Sequence, residues 1–231
     1  MTEPLKELLA AEQRADALLE AIETNGLLRP GRSETEIDKD IYTLAQDSFG
    51  VTKHWHKRIV RAGANTVRVF ADNPPVREIA EDDTVFLDLG PVFGEWEADV
   101  GRTYVMGNDP EKHRLCNDLP RIFDALKQHF DDNQDVTGAE LYAHAHQLAE
   151  ASGWVFGGAI AGHIVGEFPH ARIPGDKDLY RISPANPERL RDPDAVGNKR
   201  YWIIEVHLVD RTRSWGGFYE RLLVPAEDDH S

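Results

Sequence analysis

Cysteine is almost absent from the 231-residue sequence, in which Cys116 is the single thiol. A lone cysteine excludes a disulfide within the sequence, and a reducing compartment fits this usage best. No run of about 18 consecutive apolar residues occurs, and the first residues alternate charges with leucine instead of forming the apolar core of a signal peptide. We therefore expect a soluble, cytoplasmic protein with no membrane partner.

Basic residues are scarce relative to acidic ones. The sequence has 26 Lys and Arg against 41 Asp and Glu, which gives a formal net charge of −15 at pH 7. This surplus repels phosphate backbones, so nucleic acid is not an expected partner. Apolar residues make up 41% of the sequence, which excludes a disordered chain. Because a domain commonly has ~100 to 200 residues and a single one can reach ~250, we interpret residues 1–231 as one domain.

Local patterns predict a mixture of helices and strands. Apolar spacings of three and four, with S/T-x-x-E capping boxes at Ser33 and Thr137, indicate helices. Runs rich in Val, Ile, Thr and aromatics indicate strands. The predicted helices are residues 5–25, 33–49, 115–130 with a break or first turn at Pro120, and 137–153; the predicted strands are 84–92, 96–106, 201–210 and 217–224. The expected class is α+β, and the proline-rich segment 183–199 is interpreted as a long loop or lid.

Two predicted hairpins carry acidic residues in otherwise apolar strands. Asp88 and Asp99 are equidistant from a midpoint at residues 93–94, which predicts that they oppose each other across the first hairpin. Glu205 and Glu220 are equidistant from the polar run DRTRS, which predicts a second opposed pair. A single such acid is commonly a solvent-facing strand residue. Two opposed pairs of like charge destabilise a sheet, and a cation between the acids would remove that conflict.

Histidine is the second ligand type in the pattern. His163 lies between glycines in AGHIVGEFPHARIPG, and His170 follows seven residues later. A lone histidine is more often a packed or surface residue than a ligand, so this segment gains weight from the two acid pairs. His54 and His56 lie in KHWHKRIVR, which we interpret as a pocket wall or a solvated strand rather than a nucleic-acid patch.

Together these segments resemble the pita-bread metallopeptidases, the superfamily of methionine aminopeptidases, Xaa-Pro aminopeptidases and prolidases. The similar segments are DLGPVFGEWEADVGRTYVMG, GHIVGEFPH, IIEVHL and FYERLLV. The positions that match the superfamily's five metal ligands are Asp88, Asp99, His163, Glu205 and Glu220. The resemblance covers roughly residues 1–225. It implies the pita-bread fold, a curved antiparallel sheet with flanking helices in two pseudo-symmetric halves.

The resemblance also implies how two divalent metal ions are bound. Asp88 would bind one ion, and His163 with Glu205 would bind the other. Asp99 and Glu220 would bridge both ions. Four carboxylates and a neutral imidazole carry a charge of −4, which two divalent cations offset. The oxygen-rich ligand set favours Mn first, with Co, Fe or Zn as alternatives.

Catalytic and recognition residues follow from the same resemblance, with three departures. It implies that His170 contacts the substrate and that Glu205 shuttles a proton. Phe70 stands where aminopeptidase members have a second substrate histidine. Phe218 and Ala159 stand where prolidase and Xaa-Pro types have an arginine and a histidine. The metal chemistry is therefore expected to be retained and the substrate recognition to be altered.

The expected function is metal-dependent hydrolysis of an amide C–N bond in a small peptide, of the aminopeptidase or Xaa-Pro dipeptidase type. Cleavage of a small non-peptide amide metabolite is an alternative, because Phe70 and Phe218 make the pocket more apolar. A catalytically silent binding module is another alternative, although such members typically lose metal ligands. Relatives are often dimers, so the resemblance implies a homodimer.

Overall fold

Helices and strands interleave along residues 1–229, the part of the chain that the computed structural model describes. The predicted domain at 1–231 extends further, and residues 230–231 lie outside the described residues. The helices are α1 (Glu3–Thr24), α2 (Glu34–Phe49), α3 (Pro110–Asp132), α4 (Gly138–Ala151) and α5 (Ala226–Asp229). The strands are β1 (Ile59–Ala62), β2 (Thr84–Leu89), β3 (Val92–Phe93), β4 (Trp96–Glu97), β5 (Val100–Val105), β6 (Val155–Phe156), β7 (Gly162–Val165), β8 (Tyr201–Val209) and β9 (Gly216–Leu222). The predicted α+β class is confirmed.

One antiparallel sheet connects the two halves of the chain. Its strand order is β1-β2-β5-β9-β8-β6, and β7 also pairs with β8. Apolar side chains of α1 and α2 form a core with β1, β2 and β5. A second core joins α3 and α4 to β6, β7 and β8. Two helices therefore cover the strands of each half, and the halves meet where β5 pairs with β9.

Both predicted capping boxes are present, whereas the predicted break at Pro120 is wrong. The Ser33 and Thr137 side chains each accept a hydrogen bond from the backbone N–H three residues later. In turn, the side chains of Glu36 and Glu140 accept a hydrogen bond from the backbone N–H of the capping residue. α3 runs through Pro120 without interruption. Its apolar face, from Leu115 to Phe130, is buried against the sheet. We attribute the continuity to this packing, which offsets the lost backbone hydrogen bond.

The first hairpin differs from its predicted register by two residues. Asp88 pairs with Gly101, and Asp99 precedes β5 instead of opposing Asp88. The chain reverses at Gly94 and the residue after it, because β3 pairs with β4 on either side of this turn. Gly94 has φ of 65°, and a two-residue hairpin turn favours glycine at its first position for such a backbone. This choice of turn moves the hairpin centre by one residue.

The second hairpin has the predicted register, because Glu205 pairs directly with Glu220. Glu220 also pairs with Gly101 of β5, which in turn pairs with Asp88 of β2. Directly paired residues share one face of a sheet, so three acids and one glycine form a row across four adjacent strands.

A buried arginine supports the junction between the two halves. The Arg221 guanidinium donates hydrogen bonds to the carbonyls of Gly101 and Glu220. It also pairs with Asp16 of α1 at 2.8 Å. The guanidinium therefore ties α1 to the two strands that meet at the junction, directly beneath the row of acids.

The segment 183–199 contains no helix or strand, as predicted for a loop, and none of its residues lines the cavity described below. Gly138 donates its backbone N–H to Glu188, and Leu190 donates its N–H to Val136. These contacts hold the loop against the junction of α3 and α4, away from the cavity described below. Separately, no helix within residues 1–229 has the length and apolar character needed to cross a membrane.

We expect Gly101→Ala to destabilise the protein by about 1–3 kcal/mol, because an added methyl would be forced against the Phe218 ring and Glu220. Urea unfolding monitored by circular dichroism measures this change. Gly166→Ala is the matched control, since a Cβ at Gly166 would meet only the Ile173 side chain at 3.9 Å. Equal stability of the two variants would contradict the register described here.

Candidate metal centre

A cavity of about 610 Å³ lies over the row of acids at the junction of the two halves. All five predicted metal ligands and the predicted catalytic His170 line this cavity. The lining residues from the prediction are Asp88, Asp99, His163, His170, Glu205 and Glu220. Three of the four acids are nearly inaccessible, since Asp99 and Glu220 are each 2% exposed and Asp88 is 8% exposed. Acids from distant parts of the chain therefore share one small buried volume.

The His163 imidazole lies among three of these carboxylates. Its Nε2 atom is 3.0 Å from Asp99 Oδ2, 3.7 Å from Glu205 Oε1 and 3.8 Å from Glu220 Oε1. Its Nδ1 atom bonds to the Ile164 carbonyl at 2.7 Å. This second bond orients the ring so that Nε2 faces the acids, an arrangement typical of metal-binding histidines.

Burial and mutual repulsion shift the protonation of the acids strongly. Burial raises the pKa of Asp88 to about 6 and that of Glu205 to about 8, and it raises the pKa of Glu220 well above its ordinary value. Burial also opposes the charge of Asp99, but hydrogen bonds from His163 and a second histidine lower its pKa to about 2. Glu220 Oε2 is buried and has no hydrogen-bond partner among the described residues. These features fit divalent cations, which would neutralise the acids and occupy the unpaired oxygen.

The second histidine is His56, whose role at the acids was missed in the sequence. Its Nε2 atom is 3.2 Å from Asp99 Oδ1 and 3.4 Å from Asp88 Oδ1. The interpretation of its segment as a pocket wall agrees with the structure, because Trp55 and His56 both line the cavity. His56 precedes β1, and no spacing rule predicts how β1 aligns with the strand that carries Asp88.

His170 is held by a buried acid, Glu97, that the sequence did not single out. Glu97 Oε2 is 2.6 Å from His170 Nδ1, and Glu97 Oε1 accepts a hydrogen bond from the His170 backbone N–H. Glu97 itself is 1% exposed. The two contacts fix the histidine ring and leave Nε2 as its free nitrogen.

The three positions that depart from the resemblance also line the cavity. Phe70 lies at its edge and is 51% exposed, whereas Phe218 is buried against Phe86. Ala159 contributes a small apolar side chain to the lining. The predicted apolar character of the pocket is therefore present in the fold.

Known proteins share both the family pattern and the fold. The sequence model of the protein family described as Metallopeptidase family M24 matches residues 6–198. A prolidase from Thermococcus sibiricus superimposes with a TM-score of 0.75 at 21% identity, covering 98% of this chain and 57% of that one. A prolidase from Pyrococcus horikoshii OT3 gives 0.71 at 20% identity, covering 99% and 60%.

A methionine aminopeptidase from Rickettsia prowazekii gives a TM-score of 0.70 at 14% identity, covering 99% of this chain and 96% of that one. No curated protein sequence matches the chain. In contrast to the methionine aminopeptidase, the two prolidases are longer than this chain, which spans less than two thirds of their length. The predicted pita-bread fold is confirmed by these superpositions.

We expect the metal-free protein to lose thermal stability as the pH rises from about 5 to about 9. The folded state raises the pKa of Glu205 and Glu220, and the bond to Asp99 outweighs burial to raise that of His163 to about 9. These groups therefore bind more protons in the folded state than in the unfolded state, which stabilises the folded state at low pH. This stabilisation is lost as the groups deprotonate. The lowered pKa of Asp99 affects stability only in more acidic solution.

Melting temperatures measured with a chelator across this pH range test the expectation. A saturating divalent cation should remove most of the decline, because it replaces the protons. A metal-free melting temperature that is independent of pH would show that the acids are not coupled as described.

Proposed function

Because the chain belongs to metallopeptidase family M24, we propose that it is a dinuclear metal-dependent hydrolase of amide C–N bonds in short peptides, of the aminopeptidase or Xaa-Pro dipeptidase type. The main support is the convergence of four carboxylates, three of them buried, and an imidazole in one cavity. The homodimer, the cytoplasmic location and the single-domain organisation stay predictions alongside it.

The proposed ligands divide between two ions, with Mn as the first choice and Co, Fe or Zn as alternatives. Asp88 would hold one ion, and His163 with Glu205 would hold the other. Asp99 and Glu220 would contribute carboxylates to both. Bound divalent cations would supply Lewis acidity, which lowers the pKa of water toward about 7 and polarises a carbonyl. The silent binding module is disfavoured, because such a module has no need for four desolvated acids at one point.

The chain's own residues would position the substrate and move the proton. The His170 Nε2 atom is available to hydrogen-bond the carbonyl oxygen of the scissile amide, because Glu97 occupies Nδ1. The Glu205 carboxylate can accept a proton and return it to the leaving amine. The Trp55 ring packs edge-on to both His163 and His170, at 5.2 and 4.9 Å between centroids. The indole thereby limits where these imidazoles can move.

The cavity wall supports a substrate with an apolar side and an anionic group. Phe70, Phe86 and Phe218 contribute apolar rings to the lining of the cavity. Arg68 also lines the cavity and forms no ion pair with any of the described residues. A short peptide supplies both features through a side chain and its terminal carboxylate.

The second candidate, a small non-peptide amide, is favoured by the replacement of polar recognition positions. Ala159 and Phe218 line the cavity without any hydrogen-bonding side chain, where the resemblance expects a histidine and an arginine. A substrate without a peptide backbone would lose less from these replacements than an Xaa-Pro dipeptide would.

A panel of free dipeptides, Xaa-Pro dipeptides and N-terminal methionyl peptides, assayed by release of amine with added Mn²⁺, tests the proposal. We expect turnover of at least one class, dependent on metal. Bound metal without turnover on any peptide would contradict the peptidase assignment and favour the non-peptide amide.

Two variants serve as controls in that assay. Asp99→Ala and Glu220→Ala each remove a proposed bridge between the ions, so each should lower turnover by orders of magnitude. Activity retained in either variant would contradict the dinuclear arrangement.

A further inference from the structure

His56 is held against the acids by a bond on the opposite side of its ring. Its Nδ1 atom is 2.7 Å from the Lys57 carbonyl, so Nδ1 carries the proton and donates it to that oxygen. Its Nε2 atom faces Asp99 Oδ1 at 3.2 Å and Asp88 Oδ1 at 3.4 Å. When a cation displaces the Nε2 proton shared with Asp99, the nitrogen that faces the acids is therefore the one whose lone pair binds it.

His163 is held in the same way on the other side of the cluster. It bonds through Nδ1 to the carbonyl of the next residue, at the same distance of 2.7 Å. Its Nε2 atom approaches Asp99 Oδ2, whereas His56 approaches Oδ1 of the same carboxylate. The two imidazoles thus flank Asp99 on opposite oxygens, as expected if each belongs to one of two adjacent ions.

The position of His56 is built into the surrounding structure. Its side chain is 6% exposed, and its ring packs against Trp55 at 4.3 Å and Phe70 at 5.7 Å between centroids. Gly90 leaves the space that the ring occupies, because a Cβ at this position would collide with the His56 ring. The packing and the space at Gly90 together hold this polar ring beside two carboxylates.

We propose that His56 is a sixth metal ligand, which binds one ion together with Asp88 and Asp99. One ligand atom from each of these residues lies within 4.8 Å of the others, and the same holds for Asp99, His163 and Glu220. Each ion would then receive one imidazole nitrogen. A second nitrogen shifts the preference of the site from Mn²⁺ toward Fe²⁺, Co²⁺ or Zn²⁺. This inference rests on the proposed metal-dependent function.

Proton NMR of the full chain, stripped of metal and reloaded with Co²⁺, tests the proposal directly. A histidine bound to Co²⁺ through Nε2 gives a strongly shifted, solvent-exchangeable Nδ1–H signal. The Nδ1–H groups of His56 and His163 each donate to a backbone carbonyl, which slows their exchange with water. We expect two such signals in the wild type. His56→Ala and His56→Phe should each lose one of them, and His163→Ala should lose the other.

Calorimetric titration with Co²⁺ provides a second readout that needs no substrate. The His56 variants should weaken one of two binding sites by at least roughly 10- to 100-fold. His56→Phe keeps a ring of similar size in the space beside Gly90, so it separates loss of a ligand from loss of packing. His54→Ala is the matched control, because His54 lies in the same segment but outside the cluster, and it should keep both signals and both affinities.

The outcomes separate this inference from the function on which it rests. Both signals and both affinities retained in His56→Phe would overturn the assignment of His56 and leave the proposed function intact. A single wild-type signal that disappears only in His163→Ala would do the same. A wild-type chain that binds no Co²⁺ would overturn both proposals.

Discussion

The repulsion among buried acids is the constraint on which the rest of the structure depends. Asp88, Glu220 and Glu205 lie in one row across the sheet, and Asp99 approaches the row from the end of a hairpin. Water cannot screen these charges well, because most of them are nearly inaccessible. The folded chain must therefore supply protons, imidazoles or cations to this point, and a site that concentrates negative charge in this way is suited to hold divalent ions.

The fold places this charge where the two halves of the sheet meet and then reinforces that junction. Gly101 contributes no side chain to the row, which leaves room for the acids and for the Phe218 ring beside them. Arg221 connects the backbone under the acids to Asp16 of α1. The strand backbone beneath the acids is thus tied to a helix by a guanidinium on the opposite face of the same strands. The close packing, the backbone hydrogen bonds and the buried charges therefore all meet at Gly101, Glu220 and Arg221.

Much of this arrangement could be predicted from the sequence, since it depends on local patterns. Capping boxes located two of the helices, and symmetry about a polar turn gave the Glu205–Glu220 pair its register. The predicted register of the first hairpin was wrong, because Gly94 could occupy either of two places in a turn. Only the pairing of β3 with β4 decides between them. The predicted break at Pro120 was wrong for a related reason, since burial of the whole helix face outweighs one lost hydrogen bond.

His56 and Glu97 could not be found from the sequence, because their roles arise from contacts between distant segments. His56 reaches the acids through the pairing of β1 with β2 and the space at Gly90, and neither leaves a periodic signal. Glu97 reads as one more acid in a polar run, yet it is buried and fixes His170. The segments that carry the family resemblance do not show which distant residues contact one another, so both roles emerge only from the geometry of the fold.

The central claim is that divalent cations occupy the space between the acids of the two hairpins. An anomalous difference map from crystals grown with saturating Mn²⁺, recorded at the manganese edge, tests it most directly. The account predicts two peaks in the cavity, one beside Asp88 and one beside His163 and Glu205, with Asp99 and Glu220 between them. A map in which the acids are ordered as described and no peak lies among them would contradict it.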